Sequence, residues 1–118
     1  MKLHDYITAR MEQPFIWGTH DCILFTVGWA EIAADKKYLP DVIWRNEEEA
    51  MQMLKEVGGI ASVFEKYFTS IKPNFARDGD LAVIGTRSYI FSGSHIVGVG
   101  ESGLFFRNRL EAKRAFHV

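Results

Sequence analysis

Apolar residues recur at helical spacing in the first half of the chain and in short runs between turns in the second half. Over residues 2–12, Leu3, Tyr6, Ile7 and Met11 fall on one face, with Lys2, Asp5 and Glu12 on the others; this predicts an amphipathic helix ended by Pro14. Residues 21–34 are apolar almost all round, from Cys22 through Ile23, Leu24, Phe25, Val27 and Trp29 to Ala33, which predicts a helix buried on most sides. Thr19 is the expected N-cap, and Gly28 in mid-helix marks a close backbone approach. Asn46 followed by Glu47, Glu48 and Glu49 is a helix start, and Gly58-Gly59 its stop. A short helix follows over Ile60–Phe68. After the Asp78-Gly79-Asp80 turn the pattern changes to strands at Leu81–Ile84, around Ile90-Phe91, at His95–Val99, at Leu104–Phe106 and over Ala115–Val118. Helices followed by strands predict an α+β domain with a curled antiparallel sheet.

Composition narrows the class. With 118 residues, 47% hydrophobic and 25% charged, the chain fits one globular domain, 1–118, and not a disordered segment. Its net charge of −1 supplies no field favouring nucleic acid or an anionic membrane. No apolar run approaches the roughly 20 residues of a membrane span, and the charged start MKLHDYITARME has no signal-peptide core.

Cys22 is the lone cysteine, so no internal disulfide is available. The ordinary role of such a residue is a small buried apolar side chain. A second role follows from its position, because a thiol in the first turn of a helix gains thiolate character when an imidazole is near and solvent has access. Four histidines could supply that imidazole. His4 lies on the first helix and is expected at the surface; His117, near the end of the last strand, is expected at a strand edge. His20 is too close in sequence for in-line geometry with the sulfur and is expected on a loop or binding rim. His95 opens an apolar strand 73 positions from Cys22, and a strand laid on the buried helix would bring the two together. Asp21 either satisfies backbone donors of the turn or orients a partner. A metal centre needs paired ligands, and only His20-x-Cys22 has suitable spacing; no metal or cofactor is expected.

The segment Trp17-Gly18-Thr19-His20-Asp21-Cys22 resembles the W-G-x-x-D-C segment that introduces the nucleophile helix of NlpC-type cell-wall peptidases, which have a papain-like fold. Ala76–Val83 is similar to that fold's Gly-Asp turn and first strand, and His95-Ile96-Val97-Gly98-Val99 to its histidine-bearing strand, with one residue inserted before the glycine. Glu101-Ser102-Gly103 is similar to the hairpin that follows. The likeness covers about 14–35 and 76–108, and its Phe-x-Trp-Gly-x-His-Asp-Cys form is similar to small phage tail-associated members. Ile23-Leu24 stand where the family usually has Ser-Gly, and Phe15 and Ile16 where a tyrosine often assists. The resemblance implies a cysteine peptidase cutting peptide stems of peptidoglycan, with Cys22 as nucleophile, His95 as base and Asn108 as the polar residue orienting it. Asp21, His20 and Trp17 would be accessory.

Three functions compete at this point. One is a peptidoglycan-directed hydrolase acting during phage DNA entry or tail assembly. Another is a structural or adaptor component of the tail tip, with the fold kept and the chemistry lost. The third is an unrelated domain whose cysteine is core or a zinc ligand. Trp17, Trp44, Phe105 and Phe106 would suit docking to a tail-tip or hub protein if they form an exposed patch. A tail protein would be made in the host cytoplasm and carried in the virion.

Overall fold

The computed structural model describes residues 1–39 and 44–118. Helix α1 spans Leu3–Thr8 and buries Tyr6 and Ile7. It is shorter than its periodicity predicts. The backbone bonds from Arg10 to Ile7, Met11 to Thr8 and Gln13 to Arg10 tighten to three-residue closure, so the chain leaves the helix as a series of turns and Met11 is left exposed.

Helix α2 spans Cys22–Ala34 and buries residues around most of its circumference. Its N-cap is Asp21 and not Thr19: the Asp21 carboxylate accepts from the Ile23 and Leu24 amides. A charged acceptor at the positive end of the helix is stronger than a hydroxyl there. Gly28 has the expected purpose. A Cβ there would come within 2.9 Å of the Tyr6 hydroxyl, which donates to the Phe25 carbonyl at 2.6 Å and so ties α1 to α2.

Helix α3, Glu47–Val57, begins where Asn46 accepts from the Glu49 amide and ends at Gly58 in the left-handed region. Helix α4 spans Ile60–Tyr67. Among the described residues no helix is long and apolar enough to cross a membrane.

Six strands form one antiparallel sheet: β1 Thr69–Ile71, β2 Leu81–Ile84, β3 Arg87–Ser92, β4 His95–Gly100, β5 Gly103–Asn108 and β6 Arg114–His117. The order across the sheet is β1-β6-β2-β3-β4-β5. β6 therefore runs between two partners, and His117 sits on an interior strand, not at a sheet edge as expected.

Side chains alternate between two apolar layers. Leu81, Val83, Ile90, Val97, Val99 and Phe116 join the helices in the main core. Ala82, Tyr89, Phe91, Ile96 and Ala115 form a second, smaller cluster on the other face. Gly98 lies on that second face under the Tyr89 ring, where an added Cβ would come within 2.7 Å of two ring carbons. The architecture is α+β, with four helices and a six-stranded antiparallel sheet among the described residues.

Candidate functional site

Cys22 starts α2 with a fixed backbone. Asp21 is fully buried and accepts four hydrogen bonds: from Gly18 and Trp44 Nε1 on one oxygen, and from Ile23 and Leu24 on the other. Gly18 has φ of +79°, and a Cβ there would collide with the Trp44 carbonyl. The Trp-Gly and Asp-Cys pairs thus form a single structural unit. The Asp21 carboxylate is spent on backbone and indole donors and orients no histidine.

Strand β3, not β4, brings a polar group to the cysteine. Ser88 is buried and shares the helix-facing parity of Ile90. Its hydroxyl donates to the Cys22 carbonyl at 2.8 Å and lies 2.9 Å from the Thr26 hydroxyl, which contacts the same carbonyl. Cys22 itself is 8% exposed. Burial pushes its thiol pKa up; the Ser88 amide and hydroxyl draw it partway back, and the Asp21 charge raises it further. Cys22 lines a cleft of about 140 Å³ together with Phe15, Trp17, Glu47, Arg87, Val99 and Phe105.

His95 lies elsewhere. Its position in β4 has the same parity as Val97 and Val99, so it is on the helix-facing side of the sheet. It pairs, however, with Ser92, four residues along β3 from Ser88, a separation of about 13 Å at strand rise. It is exposed, with Nδ1 3.2 Å from the Ser94 hydroxyl and its ring edge-on to Phe106. It lines a groove beside α1 with His4, not the cleft of Cys22. The physical reason is the position of the hairpin turns. The Gly93-Ser94 turn puts His95 at one end of β3, while the start of α2 lies over the other end, at Arg87 and Ser88.

Asn108 is the direct cross-strand partner of His95, so the structure does place these two side by side. The Asn108 side-chain oxygen Oδ1 accepts from the Leu110 backbone N–H, and the Asn108 backbone N–H donates to the Glu111 carboxylate, closing a reciprocal cap. His20 lies in the loop before α2, one of the two places expected for it, and is 7% exposed; its backbone bridges Ile16 and its ring stands edge-on to Phe25. It lines a different cavity from Cys22. Trp17 is half-buried beside Phe15 in the Cys22 cleft. Of the four aromatics considered for docking, Trp44 is core, Trp17 and Phe105 line the cleft and Phe106 is exposed beside His95, so they form no single patch.

The apolar pattern marks only Ile90-Phe91 in this strand and leaves Ser88 unmarked. The signal was the alternation itself: extending that strand back by two residues sets Ser88 on the face of Ile90. Among the described residues no group of three or more His, Cys, Asp or Glu side chains is placed to hold a metal ion.

The fold and site together define an α+β domain with a buried helix-start cysteine packed against a serine-bearing strand. The whole chain, residues 1–118, matches the family described as a domain of unknown function (DUF6950), and the protein belongs to that family. No curated protein and no solved structure matches it.

Proposed function

We propose that this chain is a papain-like domain of NlpC type that keeps the nucleophile helix without a catalytic pair, and that it serves as a structural or adaptor component of a phage tail tip. The observation that carries the reading is the separation of His95 from Cys22: His95 pairs with Ser92, while the residue of that strand packed on the start of α2 is Ser88, so among the described residues no imidazole stands where a cysteine peptidase needs one. A serine hydroxyl neither holds a thiolate as an ion pair nor protonates a leaving amine near neutral pH. The raised thiol pKa points the same way, since catalytic thiols lie below the ordinary value. The cleft, at about 140 Å³, is also smaller than the roughly 300–1,000 Å³ of ligand pockets. The papain-like assignment is supported by a cysteine opening a buried helix that packs on an antiparallel sheet. The tail-tip placement rests on the likeness of the Phe15–Cys22 segment.

The test has two arms. Purified protein is incubated with peptidoglycan stem peptides beside Cys22→Ala, and the release of amines is followed. Equal background from both is expected, and turnover lost in Cys22→Ala would restore the peptidase reading. In the second arm the protein is mixed with the tail-tip and hub proteins of the same phage and run by size exclusion. Co-elution is expected; a clean monomer with every one of them would remove the adaptor role.

A further inference from the structure

A second cavity, of about 280 Å³, opens between the end of α1 and the side of α2. It shares no lining residue with the Cys22 cleft. Its walls carry two groups whose hydrogen-bonding capacity is unspent. His20 is more than nine-tenths buried, and its Nε2 is a buried polar atom with no hydrogen-bond partner. Buried polar atoms are nearly always paired, and an unpaired one is destabilising. Arg10 is the second group. Its guanidinium lies 3.7 Å over the Tyr6 ring and Nη1 donates to the Tyr6 carbonyl at 3.0 Å. Among the described residues no carboxylate pairs with it. An arginine has five N–H donors in a rigid fork, so most of its capacity remains, and stacking holds the fork in place.

The remaining polar lining, Gln13 and Thr19, adds donors and no acid. The Tyr6 hydroxyl is already committed to the Phe25 carbonyl. A fixed cation, a buried imidazole and neutral donors around a cavity without a carboxylate match one ligand chemistry.

We propose that this cavity is an oxyanion-binding site, in which the Arg10 guanidinium and the His20 imidazole together hold a carboxylate or phosphate group. Guanidinium binds both groups bidentately, and His20 Nε2 becomes a paired donor when the anion is present. The cavity lies just below the size range of drug-like ligand sites, which suits a small anion or the acidic terminus of a larger molecule. The site is independent of the reading of Cys22.

The experiment titrates the full chain with sodium phosphate and, separately, sodium acetate, at ionic strength fixed with sodium chloride. The His20 ring resonance is followed by NMR, with calorimetry alongside. A saturable shift of His20 is expected with at least one probe. Saturation by phosphate alone identifies a phosphate ligand, and saturation by acetate a carboxylate; either supports the site. Arg10→Gln is expected to weaken binding at least tenfold and Arg10→Lys, which keeps the charge without the fork, by less. Arg45→Gln, remote and paired with Glu49 in the native protein, leaves binding unchanged. Linear, non-saturating shifts with both probes overturn the proposal. So does an Arg10→Gln titration that superimposes on the native one.

Discussion

Replacing Asp21 with alanine removes the acceptor of four hydrogen bonds in one step. Two of them cap α2, and loss of an N-cap costs about 1 kcal/mol. The other two leave the Gly18 amide and the Trp44 indole N–H without a partner. Trp44 is 6% exposed, so its N–H bears the full penalty of an unpaired buried donor, about 1–3 kcal/mol. The Gly18 amide is only part-buried and recovers some of its loss through water. The sum is about 3–5 kcal/mol, a large share of the ~5–15 kcal/mol that holds a domain folded. At roughly 4 °C per kcal/mol for a chain of this size, Tm falls by about 12–20 °C. Urea unfolding followed by tryptophan fluorescence measures the loss directly. Asp21→Asn separates the two functions, because its oxygen still caps α2 while its amide confronts the Gly18 and Trp44 donors; its loss should be about 2 kcal/mol. The double-mutant cycle of Asp21→Ala with Trp44→Phe should give a coupling of about 1.5–3 kcal/mol, the range for a bond to a charged acceptor. A loss below about 1 kcal/mol in Asp21→Ala, or no coupling to Trp44, would refute the account of Asp21 as the clamp of this region.

Alkylation of Cys22 by iodoacetamide should show a midpoint above about 8.5, the ordinary value of a free thiol, because burial raises the thiol pKa; a midpoint below it would contradict the buried, unactivated cysteine. Gly98→Ala should destabilise by about 1–3 kcal/mol through overpacking against Tyr89, measured by thermal unfolding, and an unchanged Tm would mean the ring moves aside freely. Burial, aided by Arg10, lowers the His20 pKa. The unfolded chain therefore takes up a proton near about pH 6.5 before the folded chain does, so this contribution to stability is present above that pH and lost as pH falls through the lowered folded value. Stability measured in bis-tris chloride should decline less steeply in His20→Gln than in the native protein, and parallel curves would refute the assignment.

Local signals carried the helices. Asn46 and Gly58 mark both ends of α3 because an Asx cap and a left-handed glycine are chain-local devices. The all-round apolar character of α2 made its burial legible, and Gly28 pointed to the close approach of α1. Strand β1 carried no such signal: Thr69 and Ser70 are exposed, and their place in the sheet is set by β6, 48 residues away at the Thr69–His117 pair. The cysteine site was legible in half. Helix-start position and the parity of His95 follow from short periods, but the distance along the strand depends on which hairpin end α2 covers. That is a tertiary fact, and it substitutes Ser88 for His95. Thr19 and Asp21 were both competent caps by type, and the choice was made by Trp44, whose indole needs a buried acceptor.

The placement of β6 also sets a schedule for folding. β2 to β5 are consecutive and joined by tight turns, so they can pair as they are made. β6 must then enter between β1 and β2, using the open edges of both. Until residue 117 clears the ribosome, those two edges stay unpaired while the rest of the sheet stands ready. An open strand edge is a template for pairing with another chain. Crowded nascent chains are therefore most exposed to mispairing until Arg114–His117 emerge, and an arrest peptide placed to hold Arg114–His117 inside the exit tunnel should trap a species with β1 and β2 accessible and β3 to β5 already protected.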